Sequence, residues 1–357
     1  MGMFDNILSS DESLFLNAQF LDIDFTPPII KYRENEQQYI AECIKPVLQK
    51  RNGRNLLVVG GHGIGKTLGI KHVLESLKEE HPNEVNCVYV NCWIKDTAFK
   101  VAHEICSQLK YTWTHNKSMD QLMDKASELL NEKSAVIVLD EIDKLEDEDL
   151  IYNLVEQISR KIIILITNNK EFLKELDERI KSRLMPETLE FKQYNKQETE
   201  GILKQRLEYA FVQGTFDKEA FNDVVEKTFE IGDIRVGLFL MKEAGEIAET
   251  KSSRKITKEH VDLAISKLQE FKIKKLDEMN SSEKELLEII KNNSGKTTSE
   301  ICKLYFDKTK KSERTFYRKL NELQKANSII LKEMNKGFEE GKSTIIEYNI
   351  TKTLKDY

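Results

Sequence analysis

Between residue 36 and about residue 268, short apolar runs alternate with longer stretches whose apolar residues recur every three or four positions. The runs Asn55–Val59, Asn86–Trp93, Ala135–Leu139 and Lys161–Ile166 have the length and β-branched content of strands. Between them, Glu36–Gln49, Leu68–Glu80, Ala98–Leu109 and Met119–Leu130 carry helical spacing. Strands separated by helices predict a doubly wound α/β core with a parallel sheet. Residues 1–32 read as an arm ending in Thr26-Pro27-Pro28, which bars a helix there. From Lys196 to Leu268 the pattern is helical throughout, punctuated by Gly214 and Gly232. Beyond it come three short helices, 283–290, 298–306 and 312–325. Two apolar runs follow, Ile329–Glu333 and Ile345–Ile350, joined by a turn with two glycines. Helix, helix, helix and hairpin predict a winged helix-turn-helix. Three domains result: 1–192, 193–272 and 273–357.

The first strand leads into Gly60-Gly61-His62-Gly63-Ile64-Gly65-Lys66-Thr67-Leu68, in which Gly60, Gly65, Lys66 and Thr67 fill the phosphate-loop signature. A turn that binds nothing is the plainer reading, but strand, loop and helix occur in the order the motif requires. The glycines let backbone N–H groups face phosphate oxygens, and the helix that follows presents its positive end. These residues are expected to bind ATP or ADP, with Lys66 facing solvent and reaching the β and γ phosphates, and Thr67 holding Mg²⁺. Gly295-Lys296-Thr297 repeats the last part of the signature without the upstream glycine or strand, and is read as a loop.

The strand 135–139 ends in Asp140-Glu141, two carboxylates at the edge where phosphates would lie. Asp140 is expected in the Mg²⁺ shell and Glu141 as the base that polarises water. A further strand ends at Asn168, and Arg179 and Arg183 share a face if 177–184 is helical. Arg235 opens a helix after Gly232-Asp233.

Charge is uneven. The formal net charge is −6, yet residues 273–357 carry 18 Lys and Arg against 14 Asp and Glu, leaving −10 for the rest. Nucleic-acid contact is therefore expected at the C-terminal end. In the third C-terminal helix, Phe316, Leu320 and Leu323 share one face, and Lys311, Arg314, Arg318, Asn321 and Lys325 point away. Lys311, Ser312, Arg314, Thr315 and Arg318 are the candidate groove readers, with Lys336 and Lys342 in the wing. Glu339 and Glu340 argue against the wing. The stretch Lys110–Lys117 interleaves aromatic and basic residues, so Trp113 and Lys117 are further candidates, against the plainer reading of a surface loop. Five cysteines without a C-x-x-C pair suggest neither a disulfide framework nor zinc. No apolar run is long enough to span a bilayer.

Taken together, Tyr32-Arg33-Glu34-Asn35-Glu36, the phosphate loop, Tyr89-Val90-Asn91-Cys92, Leu139-Asp140-Glu141-Ile142-Asp143-Lys144-Leu145, Ile166-Thr167-Asn168, Leu176–Leu184, and Gly232-Asp233-Ile234-Arg235 with Ala244–Glu249 resemble an AAA+ ATPase carrying a C-terminal winged helix. The resemblance is closest to the archaeal replication initiators related to origin-recognition-complex and Cdc-type loader proteins. It implies an AAA+ core, an all-α lid domain and slow, switch-like ATP hydrolysis. It makes Asn168 a γ-phosphate sensor, Arg235 the lid sensor, Arg183 or Arg179 the finger offered to a neighbouring subunit, and Tyr32 and Arg33 the frame of the adenine. Origin duplex DNA, the replicative minichromosome-maintenance helicase and other initiator subunits are the implied partners. The implied location is cytoplasmic and nucleoid-associated. A regulator of transcription or a mobile-element or plasmid replication protein is the competing reading. A clamp loader fits the core but leaves the basic third helix unexplained.

Overall fold

The computed structural model describes residues 13–114, 117–277, 281–309, 313–325, 329–335 and 342–348. They divide between Ile265 and Ser266 into two compact units. The first begins with α1 (Glu34–Leu48), β1 (Leu56–Val59), α2 (Lys66–Glu80), β2 (Val85–Asn91), α3 (Ala98–Gln108), α4 (Met119–Asn131) and β3 (Ser134–Asp140). It continues with α5 (Asp149–Gln157), β4 (Lys161–Thr167), α6 (Phe172–Glu175), α7 (Glu178–Leu184) and β5 (Glu187–Glu190). Helices α8 (Lys196–Ala210), α9 (Lys218–Ile231), α10 (Ile234–Thr250) and α11 (Lys258–Asp277) follow, and the last extends past the division.

The five strands are parallel in the order β2-β3-β4-β1-β5. Strand periodicity explains why the central runs contain no polar break. Leu57, Val59, Ile137, Leu139, Ile163 and Leu165 face one core with α3, α4, α5 and α7. Leu56, Val58, Val136, Val138, Ile162 and Ile164 face the other with α1 and α2. Burial on both faces demands apolar residues at both parities. β5 is not marked by an apolar run because it lies at the sheet edge and alternates exposed positions with half-buried Glu187 and Leu189. The order also matters for chemistry. β1 lies beside β4, and the register pairs Val59 with Thr167 and Asn91 with Asp140, so the phosphate loop, Asp140 and Asn168 all leave one edge of the sheet.

Helix ends place the polar residues of the α8–α11 region. Asn195 and Glu198 form a reciprocal capping box at α8, a feature that stabilises a helix by about 1 kcal/mol. Gly232 ends α9 in the left-handed conformation at φ 75°, and Asp233 caps the first turn of α10. Gly-Asp-x-Arg is thus the junction of two helices, with Arg235 fixed beside its own cap.

The arm lies against this helical region. Ser13 Oγ and Leu14 N donate to Glu249 Oε1 at 2.6 and 2.8 Å, and Leu16 N and Asn17 N donate to Ala210 O. The Phe15 and Phe211 rings pack with centroids 4.8 Å apart, and buried Arg206 donates to the carbonyls of Phe20 and Phe25. No helix among the described residues is long and apolar enough to cross a membrane.

The second unit orders α12 (Ser281–Asn292), β6 (Lys296–Thr297), α13 (Thr298–Thr309), α14 (Glu313–Lys325), β7 (Ile329–Asn335) and β8 (Lys342–Tyr348). Its antiparallel sheet runs β6-β8-β7. Gly295-Lys296-Thr297, read as a loop, instead supplies the short strand β6, paired with Ile345 and Ile346. The expected apolar face is buried: Phe316, Leu320 and Leu323 pack with Leu286, Ile290, Ile301 and Tyr305.

Candidate active site

The path of the backbone sets the site. β1 stops at Val59, and the loop reaches α2 through Gly65, left-handed at φ 89°. A Cβ on Gly65 would stand 2.7 Å from the Tyr194 hydroxyl, and one on Gly63 would stand 1.7 Å from Asp233 Oδ1. Ile234 N donates to Gly63 O at 3.2 Å, so the start of α10 rests directly on the loop. From beneath, Arg33 donates to Ile64 O through Nε and Nη2, at 3.1 and 2.9 Å, and to Lys192 O at 2.6 Å. Its guanidinium stacks 3.9 Å from the Tyr194 ring centroid.

The polar side chains form two linked sets. In one, Lys66 Nζ donates to Gly60 O at 2.9 Å, Gly61 O at 2.6 Å and Asn168 Oδ1 at 2.6 Å, while Asn168 Nδ2 donates to Glu141 Oε2 at 2.9 Å. The amide orientation follows from its neighbours, since an ammonium requires the oxygen and a carboxylate the nitrogen. In the other set, Asp140 Oδ2 accepts from Thr67 Oγ1 and from Tyr89 Oη, both at 2.7 Å, and Oδ1 accepts from Glu141 N at 2.8 Å. Glu141 is left-handed at φ 53°, a conformation costing a non-glycine residue about 1 kcal/mol, and the Asp140 hydrogen bond to its N–H offsets that strain.

Lys66 does not face solvent as the motif alone suggests; it is only 7 % exposed, because its ammonium folds back onto the loop carbonyls. Burial pulls that ammonium below the usual lysine range, and the Glu141 and Asp140 carboxylates oppose the shift. Tyr89 is pushed up by burial and by Asp140, so its hydroxyl stays a donor. Arg235 donates to both oxygens of Asp233 at 2.5–3.1 Å, and this bond raises its pKa.

A cleft of about 350 Å³ opens over these groups. Its lining includes His62, Gly63, Ile64, Gly65, Lys66, Thr67, Leu68, Asp140, Glu141, Asn168 and Arg235, bringing together most of the residues the sequence singles out for the nucleotide. Gly60 and Gly61 are not among the lining residues, and their carbonyls hold Lys66. Tyr32 and Arg33 do not line it. Arg33 is a buried support of the loop, and Tyr32 lies against Gly201. Ile23, Pro27, Ile29 and Ile30 of the arm, with Gln205 and Arg206 of α8, line the cleft in their place. Tyr89, also in the lining, falls in the segment Tyr89-Val90-Asn91-Cys92 that shares in the resemblance, which gives it no role; strand alternation sets it on the same face as Asn91.

Arg179 and Arg183 are elsewhere. Arg179 pairs with Asp177 at 3.2 Å and Arg183 with Glu156 at 3.4 Å, both largely exposed on α7. Of the DNA candidates, Arg318 is exposed, Thr315 is half-buried, and Arg314 and Lys342 lie in α14 and β8. Lys311, Ser312 and Lys336 lie outside the described residues. Trp113 is 79 % exposed, and Lys117 Nζ stands 5.8 Å from the Tyr111 ring centroid.

Chemically, hard oxygens from Thr67 and Asp140 fit a small divalent cation that completes its shell with water and phosphate.

Comparison with known proteins accords with this geometry. Residues 49–172 match the AAA domain family, and residues 200–266 match the Cdc6 AAA+ ATPase-type lid domain. ORC1-type DNA replication protein 2 of Methanosarcina mazei is 30% identical over 358 residues, covering 96% of this chain and 95% of its own. The solved Aeropyrum pernix ORC1 protein in complex with DNA superposes with a TM-score of 0.74 at 25% identity, covering 96% of this chain and 94% of that one. The A. pernix ORC2 protein, solved as ADPNP–ADP complexes, gives 0.67 at 17% identity with 94% of both chains covered, a likeness of fold. With a nucleotide site of AAA+ design and a full-length relative at this identity, the chain belongs to the ORC1-type DNA replication protein family and is an AAA+ ATPase.

Proposed function

We propose that this protein is an ATP-switched replication initiator that binds origin DNA and helps to load the replicative helicase, associated with the nucleoid in the cytoplasm. The observation that carries the nucleotide part is the linked set Lys66–Asn168–Glu141 beside Thr67–Asp140, in a cleft bordered by Arg235. In this reading Lys66 exchanges carbonyl partners for β- and γ-phosphate oxygens, and Asn168 passes the presence of the γ-phosphate to Glu141. Glu141 takes a proton from the attacking water. Thr67 and Asp140 hold Mg²⁺, which when bound neutralises charge on the phosphates. Arg235 touches phosphate from the α10 side, and Arg183, or Arg179, reaches a neighbouring subunit's nucleotide. Arg179 and Arg183 hold only exposed pairs that a phosphate can displace at little cost.

DNA binding rests on the second unit and on the Trp113 stretch. The element order of α12–β8 fits a winged helix, with α14 as the groove reader. From Lys303 to Lys319, seven basic residues stand against Asp307 and Glu313. The solved A. pernix ORC1 protein is a DNA complex, which favours the same activity here.

Mapping the protein on chromosomal DNA tests the reading. A few sites where replication starts support initiation. Occupancy of many promoters would overturn it in favour of a transcriptional or copy-number regulator.

A further inference from the structure

Tyr89 enters the cleft from β2, and neither nucleotide binding nor hydrolysis as described gives it a task. Its hydroxyl donates at 2.7 Å to Asp140 Oδ2, the same oxygen that accepts from Thr67. The rest of the residue is restrained from two further directions. β2 is an edge strand, and the outward peptide groups of Tyr89 are taken up by one side chain of α3. Gln108 Oε1 accepts from Tyr89 N at 3.1 Å, and Gln108 Nε2 donates to Tyr89 O at 2.6 Å. Lys71 of α2 sets its ammonium 4.7 Å from the ring centroid. Backbone and ring are both held, so the hydroxyl meets Asp140 from a fixed direction.

A bond that merely ties β2 to β3 would be redundant. The two strands already pair residue for residue from Val85–Ser134 to Asn91–Asp140. The phenol is directed instead at a carboxylate that Thr67 and the Glu141 peptide also restrain, leaving it no rotational freedom.

Resting on the assignment of Thr67 and Asp140 to the cation shell, we propose that Tyr89 is a positioning residue, locked by Gln108, that fixes the Asp140 carboxylate for the divalent cation accompanying the nucleotide. Hydrogen-bond partners of metal ligands typically contribute about 10–100-fold in metal affinity. The role lies in metal dependence and not in nucleotide contact itself.

The test is a titration of ADP binding by the full chain, followed by nucleotide fluorescence, across Mg²⁺ concentrations and in EDTA. Tyr89→Phe removes the hydroxyl and keeps the ring beside Lys71. It should leave affinity in EDTA at the wild-type value and raise the Mg²⁺ concentration for half-maximal enhancement by about 10-fold. Gln108→Leu, which keeps the hydroxyl but frees the strand, should move the same quantity by a smaller factor. Wild-type Mg²⁺ dependence in Tyr89→Phe overturns the proposal, as does an equal loss of affinity with and without Mg²⁺. Asp140→Asn separates the two layers. If it abolishes the Mg²⁺ response while Tyr89→Phe does not shift it, only the Tyr89 role fails; if it leaves the response intact, the cation assignment fails and the Tyr89 role with it.

Discussion

The cleft and the face of α7 use the same kinds of charged residue to opposite ends. In the cleft, Lys66 and Asp140 are buried, and each has three partners within 2.9 Å. On α7, Arg179 and Arg183 hold carboxylates at 3.2 and 3.4 Å while their side chains remain 72% and 59% exposed. Burial makes the first set expensive to break and therefore preorganised; exposure makes the second easy to trade for another molecule's phosphate. The contrast fits the proposed roles, with chemistry that must be ready before a ligand arrives held inside and the arginines proposed to reach a second subunit left in solvent.

The largest effect is expected at Arg183, on the exposed side. With Arg183→Ala, hydrolysis should fall on the order of 1,000-fold under conditions where subunits meet, with no change in a dilute monomer. A loss at high dilution would assign the arginine to its own chain's chemistry.

Lys66→Ala addresses the buried side. ATP and ADP binding should weaken on the order of 100-fold, as charged hydrogen bonds to phosphate disappear. Because Lys66 is buried, the substitution also unpairs the Gly60 and Gly61 carbonyls, so a stability change of about 1–3 kcal/mol is expected in denaturant titration. Unchanged nucleotide affinity in a folded variant would remove Lys66 from the site. Glu141→Gln should slow hydrolysis by about 100-fold at unchanged affinity, since Asn168 can still donate to the amide oxygen. Weakened affinity instead would move Glu141 into the cation shell.

Arg314→Ala with Arg318→Ala, the latter at an exposed position, extends the test to DNA. If both arginines read bases, each substitution should weaken binding to an origin duplex by about 10-fold, with relaxed sequence preference. If they grip phosphate, affinity should instead fall uniformly across sequences and the salt dependence should flatten. Full binding by the double variant, checked for folding by circular dichroism, would leave α14 as a solvated face.

The smallest effect is with pH. Lys66 titrates below its ordinary value in the nucleotide-free fold, so between that lowered value and 10.5 the unfolded chain binds more protons. Across that alkaline window its contribution to fold stability should rise with pH. Nucleotide affinity should fall a few-fold at the same time, because the ammonium is being neutralised. Lys66→Ala should show neither trend; an identical pH profile for the two proteins would argue against the buried lysine.

Sequence legibility follows the same division between local and long-range causes. The phosphate loop, Asp140-Glu141 and Asn168 are legible because each terminates an apolar strand and the spacing is local. The apolar face of α14 follows from helical period alone. Arg33 is not legible in this way, since its role depends on Ile64 and on Lys192, 159 residues away. The same holds for the arm's place in the cleft wall, for Tyr89, whose partner lies 51 residues on, and for β5, whose edge position needs few apolar residues.

The clasp between Ser13, Leu14 and Glu249 has a consequence for how the protein is made. A ribosome adds about 5–20 residues per second, so the N-terminal segment emerges on the order of ten seconds or more before its acceptor has been synthesised. For most of that interval Ile23, Pro27, Ile29 and Ile30 lack Gln205 and Arg206 of α8, which line the same cleft. The phosphate loop and the Asp140 strand precede α8 and α10 in synthesis, so Gln205, Arg206, Arg235 and Leu238 are the last lining residues of the cleft to be made. A chain stalled before Gln205 carries the motif but lacks the lining that α8 and α10 supply.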